Sequence, residues 1–168
     1  MKPDVLTRWL GAARRERVLR VLLSDYVLNG ASCAFGMFVV SAIVHLLFGA
    51  EAAANATVGV IAALAPDLVG PRRGKLVHLV VAPLIGVPLF LAVQLLRGHP
   101  VGLGLFLVAA TFLAFLGMAW GKRGAPVAIG VMLVMLFSMS TPLAASPGQA
   151  LVRTFYCGLG CALYVVYA

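Results

Sequence analysis

Apolar residues run along this chain in blocks too long to be one face of a soluble helix, and short breaks rich in Gly, Pro and cations separate them. A helix needs about 20 apolar residues to cross roughly 30 Å of hydrocarbon. Six stretches fit that length: residues 25–48, a weaker alanine-rich stretch at 52–68, then 76–96, 101–120, 125–143 and 149–168. Pro and Gly punctuate nearly every break, and the breaks are short, so neighbouring helices must run antiparallel. The expected fold is all-α, an integral membrane bundle of six transmembrane helices over residues 21–168, preceded by a basic segment at 1–20.

Composition supports lipid as the solvent. Hydrophobic residues make up 62% of the chain and charged residues 11%, against about 25% charged in a soluble domain. The chain holds 13 Lys+Arg against 5 Asp+Glu, but the cations cluster at the ends of apolar runs. That placement belongs to membrane topology and excludes a nucleic-acid surface. Lys2, Arg8, Arg14, Arg15, Arg17 and Arg20 precede the first span, Arg72, Arg73 and Lys75 follow the second, and Lys122 and Arg123 follow the fourth. If the spans alternate, these all lie on one side, with only Arg97 and Arg153 on the other. The rule that positive loops stay inside then puts the N-terminus in the cytoplasm. Residues 4–20 could form an interfacial helix, with Trp9, Leu10, Val18 and Leu19 on the bilayer. A cleaved signal peptide fits poorly, because the first apolar run is too long and further spans follow. Cys33, Cys157 and Cys161 sit inside apolar segments and read as packing residues. The sequon at Asn55 and Thr57 falls at a helix start and is discounted.

An ionisable side chain within a membrane is a functional candidate, because burying it unpaired is costly. Asp25 and Asn29 share a face near the inner end of the first span. His45, Glu51 and His99 fall at the outer boundary, and Asp67 and His78 flank the inner basic break. Asp67 beside Arg72 and Arg73 reads as a local ion pair tying down the loop. Asp25, His45 and His78 are the proton-coupling candidates, since a histidine titrates near neutrality. Arg153 stands where cations are scarce and is the leading candidate to meet an anion; snorkelling to phosphate headgroups is the other reading. Pro83 and Pro88 flank Gly86 in the third span. They point either to a bent or broken helix lining a path or to a packing kink. Met132, Met135 and Met139 form a stripe that reads as filler or as an adaptable wall. Gly117 and Gly121 permit close helix approach. There is no nucleophile elbow, paired-histidine zinc motif or phosphate loop, so neither an enzyme nor a cofactor or metal is expected.

A basic N-terminal segment, a second span ending in Pro66-Asp67, and the basic turn Gly70-Pro-Arg-Arg-Gly-Lys75 leading into a Gly-containing span form a familiar pattern. In the last span, Arg153 is followed seven residues later by Gly160. Together these resemble the N-terminal membrane half of the fusaric acid resistance family, which includes the aromatic acid exporters. The third span departs from that family, offering Lys75, His78 and Ala82-Pro83 where an arginine before a Gly-Thr step is common. The resemblance implies a bacterial cytoplasmic (inner) membrane protein, exporting aromatic carboxylic acids or related toxic anions with the proton gradient. It also implies either a second copy of the chain or further domains of a longer one. Small organic anions and membrane lipid are the other expected partners. On the residues, Arg72, Arg73 and Lys75 would concentrate anions at the inner face, Ser138 with Thr111 and Ser140 would line an apolar mid-section, and Arg153 would meet the carboxylate. A passive organic-anion channel and a non-transporting membrane subunit are the alternatives.

Overall fold

The computed structural model describes residues 24–67, 72–119, 121 and 124–168, with the side chains of 25 and 72–78 left outside the description. Six helices account for nearly all of this: α1 (Asp25–Phe48), α2 (Ala50–Leu64), α3 (Arg72–Leu96), α4 (Pro100–Met118), α5 (Gly124–Ser140) and α6 (Pro147–Tyr167). Each matches one expected apolar stretch to within a few residues. α1, α3, α4 and α6 are long and apolar enough to cross a membrane, whereas α2 and α5 are shorter apolar helices. That corrects the expectation of six full-length stretches. α2 stops early because Pro66 has no N–H to continue the ladder, and the Asp67 N–H turns back onto the Leu64 carbonyl at 3.0 Å. α5 stops at Ser140 because Pro142 disfavours a helical Thr141. The interfacial helix expected at 4–20 and the cations at 122–123 lie outside the described residues.

α2, α3, α5 and α6 pack together as the centre of the bundle. α1 lies against α2 and α6 on one flank, and α4 against α5 and, more lightly, α3 on the other. The seam between α2 and α6 is the most extensive contact and is built from small side chains. Ala52, Ala53, Ala56, Val60 and Ala63 recur at helical spacing along α2 and are buried. A Cβ on Gly59 would lie 1.9 Å from the Cys157 carbonyl oxygen, and one on Gly160 would lie 2.1 Å from the Ala56 carbonyl oxygen. Glycine is therefore obligatory at both points, and the two backbones touch as in the small-residue crossings of membrane helices. The Cys161 thiol donates to the Gly59 carbonyl at 3.1 Å in the same seam. No disulfide joins the three cysteines, all of which are buried.

Gly49 alone joins α1 to α2, at φ 88 and ψ −179. That region is essentially closed to any residue with a Cβ, so the reversal needs glycine. Outward faces carry large apolar side chains instead of charge, among them Phe35, Phe38 and Leu46 on α1 and Leu105, Val108 and Phe112 on α4. Water would not tolerate such a surface, but hydrocarbon matches it.

Candidate functional site

Between α3, α4 and α5 lies a cavity of about 760 Å³. Val81, Ile85 and Leu89 of α3 face it at intervals of one turn, opposite Ala110 and Leu113 of α4 and Val127 and Val131 of α5. The lining is almost wholly apolar and includes small residues, Gly117 and Gly124, that leave the space open. Its position follows from α4 being packed more on α5 than on α3. The lining residues of α5 lie in its N-terminal half and most of those of α4 in its C-terminal half, while on α3 they run from Val81 past the midpoint to Leu89, so the cavity extends from the α4–α5 connection toward the middle of the bundle. The prolines of α3 stand beside it. α3 runs through Pro83 and Pro88 without interruption, so of the expected bent or broken helix the break is not seen. Each proline still deprives the carbonyl four residues earlier, at Leu79 and Leu84, of its intrahelical donor. Gly86 is buried between Val134 and Ala62, which makes it a packing position.

Toward the opposite end, Ser138 is fully buried and belongs to a polar cluster between α3 and α5. The Gln94 amide donates to the Ser138 carbonyl at 3.2 Å and also reaches Ser138 Oγ and Thr141 Oγ1. Gln94 Oε1 is buried with no partner among the described residues. Arg97 donates to the Thr141 carbonyl. One residue on, the Pro142 carbonyl accepts from Arg153 Nη1. Arg153 is 5% exposed in its side chain and pairs with Glu51, whose side chain is 64% exposed. Nε and Nη2 both donate to the same oxygen, Oε1, at 3.0 and 2.8 Å. The two arginines that sequence placed on the cation-poor side thus meet adjacent carbonyls of the linker between α5 and α6.

A third cluster joins the other ends of α1, α2 and α6. Asp67 is buried, and its Oδ2 accepts from the Tyr164 hydroxyl at 2.8 Å and the Cys33 thiol at 3.4 Å. Asn29 Nδ2 donates to the Asp67 carbonyl at 3.0 Å. Sequence reasoning singled out Asp67 and Asn29, read Cys33 only as a packing residue and passed over Tyr164. Asn29 and Cys33 at one-turn spacing were the available signal for a polar face on α1. Gln94 was missed as well, although an amide inside an apolar span is the kind of residue that needs a partner.

The remaining candidates are dispersed. His45 is exposed in the last turn of α1. Asp25, Arg72, Arg73, Lys75 and His78 fall on helices α1 and α3, but their side chains lie outside the described residues. The methionine stripe is split: Met135 is buried and Met132 packs against the same cluster, while Met139 is 39% exposed. Nothing lies within 4 Å of a Cβ on Gly117 or Gly121, so this pair makes no close helix contact among the described residues. The same residues contain no group of three or more His, Cys, Asp or Glu that could hold a metal.

No curated protein and no solved structure matches the chain. A family model does: that of the FUSC-like inner membrane protein yccS, over residues 84–168. The matched half carries most of the cavity wall, the Gln94–Ser138 cluster and Arg153. With an all-α bundle, four helices fit to span a bilayer and this match over half its length, the chain belongs to the FUSC-like inner membrane protein family.

Proposed function

We propose that the protein is a transporter that exports aromatic carboxylic acids or related organic anions across the bacterial cytoplasmic membrane, coupled to protons. The observation that carries this reading is the apolar cavity between α3, α4 and α5. Its 760 Å³ falls in the range of about 300–1,000 Å³ typical of sites for small organic ligands. Walls without charge suit an aromatic ring. Six crossings with the N-terminus in the cytoplasm would set Arg72, Arg73 and Lys75 at the entrance, where they would raise the local concentration of anions. Family membership supports a membrane transporter in the coarser sense; the aromatic-acid cargo and the proton coupling follow the resemblance seen in the sequence, and the apolar cavity suits such a cargo.

The test is to fill the cavity. Gly117 faces the space, and a Cβ there meets nothing within 4 Å. Gly117→Phe should therefore fold normally and place a ring where the substrate's ring would lie. Efflux of a radiolabelled aromatic acid from proteoliposomes should fall at least about tenfold, the equivalent of about 1.4 kcal/mol. Unchanged efflux would remove the cavity from the path. Flux that follows voltage but ignores an imposed pH gradient would replace the coupled exporter by a passive channel.

A further inference from the structure

Arg153 is an unusual partner for a surface carboxylate. Its guanidinium is almost wholly buried while Glu51 is mostly exposed, so the cation is fixed by the fold and the anion is not. The geometry of the pair is also incomplete. Nε and Nη2 form the edge of a guanidinium that matches a carboxylate with two parallel bonds, one to each oxygen. Here both N–H groups converge on the single oxygen Oε1. Nη1 is held separately by the Pro142 carbonyl, which pins the ring of donors in place. Arg97 arrives beside it on the Thr141 carbonyl. Among the described residues, Glu51 is the only carboxylate paired with either arginine, so the neighbourhood keeps an excess of positive charge.

We propose that this edge of Arg153 is a carboxylate-binding site, and that Glu51 occupies it as a tethered plug which an aromatic carboxylate displaces. The ligand's identity rests on the export reading; the site itself rests on the geometry. A free carboxylate can make the bidentate contact that Glu51 does not make. In transport, the plug re-enters as the ligand departs, which favours release and opposes rebinding. A purely structural clamp would leave ligand affinity untouched when Glu51 is neutralised.

The experiment is benzoate binding to the purified full-length protein in detergent by calorimetry, with benzamide as the uncharged control. If Glu51 fills the site about nine-tenths of the time, its removal should tighten benzoate binding about tenfold. Glu51→Gln should therefore bind benzoate about tenfold more tightly than the wild type, with benzamide unchanged. Glu51→Asp, one methylene shorter, should fall between the two and serves where the glutamine variant folds poorly. Arg153→Gln should abolish the gain when combined with either. Equal affinities in the wild type and both Glu51 variants, a gain that survives Arg153→Gln, or no benzoate binding by any variant would each overturn the proposal. Failure of the export reading would show differently, as wild-type proteoliposomes that move no aromatic acid while benzoate still binds the purified protein.

Discussion

A carboxylate inside an apolar bundle stays there only where donors reach it. Asp67 draws two of its donors from α1 and α6, each far away in sequence: the Cys33 thiol and the Tyr164 hydroxyl. Tyr164→Phe removes the shorter of these bonds and leaves a buried oxygen underserved, so it should cost about 1–3 kcal/mol of stability. Tyr167 is the internal comparison. Its hydroxyl lies near Ser32 at an exposed position, and Tyr167→Phe should stay within about 0.5 kcal/mol of the wild type. Thermal unfolding of the two variants in detergent measures the difference; equal losses would show that the Asp67 contact contributes nothing. This cluster was only half legible in the sequence. Asp67 stood out because acids are rare here, and its neighbours Arg72 and Arg73 suggested a loop ion pair. Nothing in local spacing tells which of four tyrosines folds back onto it. The same holds for Arg153, whose need for an anion was readable, whereas the choice of Glu51, across most of the chain, is made by the fold.

Helix existence was legible almost throughout, because a long apolar run has few alternatives in lipid. Helix ends were less so, since hydropathy continues through Pro66 and Pro142 while the backbone ladder cannot. The small-residue stripe of α2 could be read from its spacing, but its partner, α6, could not. At that seam the two glycines contrast with those on α4. Gly160→Ala drives a methyl into the Ala56 carbonyl, forcing the helices apart at a cost of about 1–3 kcal/mol or more. Gly104→Ala adds a methyl to a helix face where nothing lies within 4 Å. It should raise stability by about 0.5–1 kcal/mol, because alanine loses less backbone entropy in a helix. Melting temperatures moving in opposite directions would confirm the seam; a tolerated Gly160→Ala would dismiss it.

At the scale of the molecule, orientation is a prediction of charge distribution. Cysteine substitutions at His99 and at Lys122 should react with an impermeant maleimide from opposite sides, His99→Cys in intact cells and Lys122→Cys only after permeabilisation. The three native cysteines are buried and should give little background. Labelling of both from one side would undo the alternation of spans and the entrance assigned to Arg72, Arg73 and Lys75. The brevity of two central helices carries a separate consequence. At 1.5 Å per residue, the 15 residues of α2 and 17 of α5 rise about 22 and 25 Å, short of a hydrocarbon layer of about 30 Å. With both helices crossing, the insulating layer would be thinnest at the middle of the bundle. The membrane potential would then drop over a shorter distance there than across the surrounding lipid, and a charged cargo passing beside α5 would meet the steepest electric field in its path.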